Sequence, residues 1–216
     1  MSAEWTTEAY ERAKPIWSRI FEHPFLSEIR AGTLPEEKLI FYFEQNTKFI
    51  ETAVRCRSVA AAKSDDRDTL SFFTVRTTEL MEELEHQREM LRSMGGNPDA
   101  PTAPGCQAYI NHLQVVAWSR PPEWYVGTFL PCPWTYDLIA ETFEGRLSNP
   151  LHEKWWAFYW SAEHNALCDR YREFADRYVG SYPESRRELM IEDFLLNSRY
   201  ELRFWDMAYN KETWDV

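Results

Sequence analysis

The chain has 216 residues, 44% of them hydrophobic and 27% charged, enough for one large soluble domain with a sizeable core. A formal net charge of −11 leaves no basic patch to neutralise phosphates, so neither nucleic acid nor an anionic membrane is an expected partner. Glycine is scarce, with 7 residues, while aromatic residues reach 16% and include 10 tryptophans, which favours a ring-filled helical bundle over a loop-rich or β-rich fold.

The first 15 residues lack the basic-then-apolar pattern of a signal peptide, and no stretch approaches the roughly 20 apolar residues of a membrane span. Ile16, Trp17, Ile20 and Phe21 recur at helical spacing and predict a helix over 7–29, bent or closed at His23-Pro24-Phe25. Gly32-Thr33-Leu34-Pro35-Glu36-Glu37 is a helix start, with Thr33 or Leu34 as cap and two acids in the first turn. A second helix is expected over about 35–63, followed by a polar turn at 64–68. A third runs to about Ser93, where Gly95-Gly96-Asn97-Pro98 stops it. A fourth is expected around 105–118. A fifth stretch, 123–146, should be kinked or split at Pro131-Cys132-Pro133. Residues 151–179 read as one ring-rich helix, 184–209 as the last, and 210–216 as a loose tail. Helices joined by short polar turns make a single all-α bundle over 1–216.

Cys56, Cys106, Cys132 and Cys168 are far apart with no CxxC pair. Neither a zinc site nor a disulfide framework is expected, and reduced thiols fit a cytoplasmic protein. Cys132 differs in its setting: Phe129-Leu130-Pro131-Cys132-Pro133-Trp134-Thr135-Tyr136 puts it between two prolines. Pro133 can open a helix with Cys132 at or beside the cap, where the positive end of the helix dipole favours a thiolate. Such a thiol is a candidate nucleophile; the competing reading is a core cysteine at a proline kink. In the last helix, Glu201 shares a face with Phe204, Trp205 and Ala208, an apolar stripe that raises a carboxyl pKa and suits a general acid. The alternative is an acid at a solvent edge, or one paired with Arg199 or Arg203. Asp206 lies off the stripe.

A bundle can also hold two iron ions, and Glu83 with His86 has the E-x-x-H spacing of such sites. The second half is missing: three and four residues from His164 stand Trp160, Ser161, Leu167 and Cys168, none a carboxylate. No metal and no cofactor are therefore expected. His23, His112 and His152 read as structural, Cys56, Cys106 and Cys168 as inert thiols, and the tryptophans at 155–160 as core or interface.

The motifs His23-Pro24-Phe25, Gly32-Thr33-Leu34-Pro35, Phe41-Tyr42-Phe43-Glu44-Gln45-Asn46, Leu130-Pro131-Cys132-Pro133-Trp134 and Tyr200-Glu201 with Phe204-Trp205-Asp206-Met207-Ala208 span most of the chain. Together they resemble the TenA family, the thiaminase II or aminopyrimidine aminohydrolases. The resemblance implies a haem-oxygenase-like all-α fold, a homotetramer, and hydrolysis of thiamin-derived aminomethyl-pyrimidine to the hydroxymethyl-pyrimidine in thiamin salvage. Some members also cleave thiamin. It further implies that Cys132 is the nucleophile and Glu201 the acid/base, and that Tyr109, Tyr136, Tyr159 and Phe204 sandwich or orient the pyrimidine. Asn46 stands where the family usually has an aspartate that grips the ring nitrogen and amine, and Phe49 where a tyrosine is common. Asparagine offers one donor and one acceptor edge, which suits an unprotonated ring nitrogen beside the amine. The Asn46 and Phe49 departures leave four readings open: a shifted substrate, slower turnover, a binding-only protein, or compensation of the lost charge by Glu44.

Overall fold

A computed structural model of the protein describes residues 4–143 and 147–215, which hold ten α-helices and no strand. Helix ends follow local chemistry. Helix α1 (Trp5–Phe21) gives way to α2 (Pro24–Ala31) where His23 serves as N-cap, its Nδ1 accepting from the Phe25 N–H at 3.1 Å. Gly32 closes α2 with φ of 71°, and a Cβ there would stand 2.5 Å from Ser148 Oγ, so both backbone and neighbour call for glycine. Helix α3 (Glu36–Ala62) starts one residue later than expected: Pro35 takes the cap position, not Thr33 or Leu34. No side chain caps it, and Glu36 and Glu37 supply negative charge at the dipole's positive end. Asp66 caps α4 (Arg67–Ser93) by accepting from the Thr69 N–H at 2.9 Å. The end of α5 (Pro104–Ser119) is closed by Lys63 Nζ, which donates to the carbonyls of Ala117 and Trp118 at 2.9 and 3.2 Å.

The expected break at Pro-Cys-Pro is complete. Helix α6 (Pro122–Phe129) and α7 (Pro131–Thr142) are separated by Leu130 alone, and residues 144–146 of the predicted stretch lie outside the described residues. The predicted helix over 151–179 is interrupted. Helix α8 (Pro150–Trp156) stops, and Ser161 starts α9 (Ala162–Val179) by accepting the His164 N–H at 3.1 Å. Between them Trp160 Nε1 donates to the Ala140 carbonyl at 3.0 Å, an anchor to α7 that overrides the helical periodicity. Helix α10 (Glu184–Asn210) follows the expected bounds.

The chain forms two compact units. Unit 1 comprises Met1–Leu34 and Val126–Trp205. In it, α9 packs on α1 and on α7. Asp176 of α9 caps α1 from outside, accepting the Thr6 N–H and hydroxyl at 2.8 and 2.6 Å. Its core is aromatic: Trp17 lies 5.3 Å from Trp134 and 5.8 Å from Phe194, and the buried Trp17 Nε1 donates to Ser198 Oγ at 3.0 Å. A cleft of about 560 Å³ beside Tyr10, Trp134, Arg172 and Asp176 contains none of the expected site residues.

Unit 2 comprises Pro35–Tyr125 and Asp206–Val216, with α3 packed on α4 and α5. The stretch read as a loose tail is tied down within this unit. The Glu212 carboxylate accepts the Gly105 N–H at 2.9 Å, filling an open donor in the first turn of α5, and Trp214 Nε1 donates to the Thr102 carbonyl at 2.8 Å. Among the described residues, no helix is long and apolar enough to cross a membrane.

Candidate active site

Helix α7 opens one proline earlier than the sequence suggests. Leu130 is the N-cap and Pro131 the first helical residue, so Cys132 is second and Pro133 third. Neither proline costs a hydrogen bond, because first-turn amides have no partner inside the helix. The sulfur therefore stands at the positive end of the helix dipole. Thr135 Oγ1 tightens the turn by donating to the Pro131 carbonyl at 2.8 Å. Every residue from Trp124 to Asp137 is buried except Cys132, which is half-buried. A wholly buried core cysteine does not fit that pattern.

Glu201 is 3% exposed, and Phe204, Trp205 and Ala208 on its face are buried, while Arg199, Arg203 and Asp206 are exposed. The solvent-edge reading of Glu201 is thereby removed, and Asp206 lies off the stripe as expected. Rings connect the two candidate groups. Tyr136 lies one turn beyond Cys132 and Trp205 one turn beyond Glu201, and their centroids are 5.4 Å apart. Tyr136 also meets Tyr159 at 5.0 Å and stacks on Trp156 at 5.8 Å, while Trp205 meets Phe25 at 5.3 Å. Tyr159 sits in the break between α8 and α9. Cys132, Glu201, Tyr136, Tyr159 and Phe204 thus all belong to unit 1. Trp156 and Trp205, ring neighbours of this group, read from sequence as a core or interface ring and as part of the Glu201 stripe, not as site residues.

Asn46, Phe49 and Tyr109 belong to unit 2. Phe49 and Tyr109 are buried with ring centroids 4.7 Å apart, tilted by 44°. Asn46, 6% exposed, donates from Nδ2 to Gln87 Oε1 at 2.7 Å, and Gln87 Nε2 donates to Glu83 Oε1 at 3.3 Å. This relay fixes the amides. An ionised carboxylate only accepts, so Gln87 must turn its nitrogen to Glu83 and its oxygen to Asn46, which must answer with an N–H. The Asn46 Nδ2 is thereby taken up by Gln87. The Glu44 carboxylate accepts the Asn97 N–H at 2.9 Å through Oε1. Gln87 and Glu83 were not predicted as partners of Asn46. The Glu83–His86 pair belongs to no three-ligand group among the described residues.

Helices α7 and α9 bring together a further cluster that the sequence did not reveal. Asp137 of α7 and His164 and Cys168 of α9 are all buried, with ligating atoms within 4.8 Å of one another. Cys168 Sγ donates to the Pro133 carbonyl at 3.3 Å and lies 3.7 Å from His164 Nε2. Burial holds His164 down at about 4, against a smaller opposing effect of a hydrogen bond to the Pro133 carbonyl. Burial, with Glu141 and Asp169 nearby, pushes Asp137 up to about 6 despite Arg172. His164 also packs edge-on to Tyr159 at 5.0 Å. Of the other histidines, His152 hydrogen-bonds the Ile29 carbonyl at 3.2 Å, and its buried ring titrates below the usual range.

The all-α architecture is that of the haem-oxygenase-like proteins. A domain with a heme oxygenase-like fold from Shewanella denitrificans superposes with a TM-score of 0.76 at 12% identity, over 95% of this chain and 92% of its own. A model of the TENA/THI-4/PQQC family matches residues 10–211, and the chain belongs to that family. Its relatives include the aminopyrimidine aminohydrolases of Halalkalibacterium halodurans, 27% identical over 95% of this chain and 96% of that one, and of Bacillus subtilis, 25% identical over 98% and 92%. A TenA homologue from P. horikoshii OT3 superposes with a TM-score of 0.87 at 26% identity, covering 96% of this chain and 99% of that one.

Proposed function

We propose that this protein is a cysteine-dependent aminopyrimidine aminohydrolase of thiamin salvage, releasing ammonia from aminomethyl-pyrimidine to leave hydroxymethyl-pyrimidine. Its strongest support is the half-buried Cys132, alone among buried neighbours at the start of α7, on a helix whose Tyr136 ring meets the Glu201 helix at Trp205. A neutral aminopyrimidine is a poor electrophile. Glu201 protonates a ring nitrogen, and the Cys132 thiolate adds to an electron-poor ring carbon. The adduct expels ammonia from the exocyclic methylene, water adds there, and loss of the thiolate restores aromaticity. Tyr136, Tyr159 and Phe204 hold the flat ring and exclude water. Intact thiamin, with a different leaving group on the same methylene, is the second substrate to assay.

Family resemblance is what gives Tyr109, Phe49 and Asn46 a substrate-binding role, with the Asn46 carbonyl accepting from the substrate's amine. Because the Asn46 N–H donates to Gln87, that reading favours a pyrimidine bound with its ring nitrogen unprotonated in the ground state. Asn46→Asp would set a carboxylate against Gln87 Oε1. Turning Gln87 to relieve this would set its oxygen against Glu83. The substitution should lower kcat/KM for aminomethyl-pyrimidine by about 10-fold or more, measured as ammonia released. A large gain instead would show that the natural substrate is a cationic ring.

We further place the protein in the cytoplasm as a homo-oligomer, a homotetramer by family resemblance. Its four free cysteines support the compartment. Exposed Leu70, Val75 and Met81 on α4, with Val115 and Trp118 on α5, offer apolar surface for subunit contact.

A further inference from the structure

We propose that Asp137, His164 and Cys168 form a binding site for one divalent cation of the borderline class, zinc foremost. The site is independent of the hydrolase chemistry and lies within unit 1.

The donor set is the first argument. One thiol, one imidazole and one carboxylate are the three ligand types zinc takes, and two of the three become anionic on binding, so a divalent ion leaves the site neutral. Geometry is the second. Zn–N near 2.0 Å and Zn–S near 2.3 Å at tetrahedral angles put the two donors about 3.6 Å apart; the His164 Nε2–Cys168 Sγ separation is 3.7 Å, and all three ligating atoms fall within 4.8 Å. His164 and Cys168 are four residues apart on α9, which places both on one face, and Asp137 comes from α7. The three residues are 8%, 4% and 0% exposed, so this is not an acidic surface cluster.

The surroundings of Asp137 also point to a missing cation. Glu141 and Asp169 beside it are acids, and Arg172 is paired with Asp169 and lies over the Trp134 ring at 5.0 Å. A buried carboxylate in such company calls for positive charge. A cation held there ties α9 to the turn of α7 that carries Cys132. No spacing along one helix announces the site, because the acid comes from α7 and the other two donors from α9.

The test is metal reconstitution of the full chain after chelation. Zinc should bind at about one equivalent per chain and raise the melting temperature, since it binds only the folded form. Cobalt(II) should give an intense thiolate-to-metal charge-transfer band. That band should persist in Cys132→Ala and vanish in Cys168→Ala, which assigns the sulfur. Asp137→Asn, the milder change, should weaken zinc binding by about 10-fold or more and serves if Cys168→Ala fails to fold. Absence of both the band and the melting shift in the native chain would overturn the proposal, as would a band lost with Cys132 and kept without Cys168.

Discussion

Cys132→Ser should reduce ammonia release from aminomethyl-pyrimidine by about 10³-fold or more, with the far-ultraviolet dichroism and melting temperature nearly unchanged. Serine matches the thiol in size, so the first turn of α7 keeps Pro131, Pro133 and the Thr135 hydroxyl contact. What changes is reactivity. A hydroxyl is almost wholly protonated at neutral pH, and the helix end that favours a thiolate cannot make an alkoxide. Removing a covalent nucleophile disables the whole sequence of steps and does not merely weaken binding. The loss should therefore fall on kcat, with substrate still bound. Turnover within 10-fold of the native rate would end the covalent scheme.

Glu201→Gln is the second large effect. The amide keeps the shape of the carboxyl group but cannot hand a proton to the ring nitrogen. A drop of about 10² to 10⁴ in kcat is expected, the usual contribution of a positioned acid/base. Stability should not fall with it. Glu201 is 3% exposed in a stripe with Phe204, Trp205 and Ala208, and the amide keeps the size and packing of the group it replaces. Calorimetry and steady-state kinetics on one preparation separate the two outcomes. A variant that loses activity together with its melting transition would mark Glu201 as structural, and one that keeps full activity would remove it from the chemistry.

Local features were readable from the sequence, and long-range ones were not. Gly32, Asp66 and the prolines at 24, 104, 122, 131 and 150 punctuate helices through backbone geometry, which acts within a few residues. Glu201 was equally legible, because its neighbours at three and four residues decide its surroundings. The break between α8 and α9 was hidden: Trp155 to Trp160 keep a helical pattern, and only the tie from Trp160 to Ala140 pulls the turn aside. The partner of Asn46 was hidden for the same reason, since Gln87 is 41 positions away. The Asp137–His164–Cys168 cluster joins two helices, and no single-helix spacing could announce it. The tail was read as loose from its position, yet Glu212 and Trp214 find backbone partners at the start of α5 and just before it.

The uneven burial of the four sulfurs has a practical consequence. Cys56 and Cys106 are pushed up to about 11 and 12 by burial, and Cys168 is enclosed with its proton on a carbonyl. An alkylating probe applied to the native protein should therefore mark a single position, Cys132. Uptake of label would then count functional centres directly, and a pyrimidine that slows the marking would report its own occupancy without any turnover. Mass spectrometry of the modified chain checks this, and label at Cys56, Cys106 or Cys168 before denaturation would contradict it.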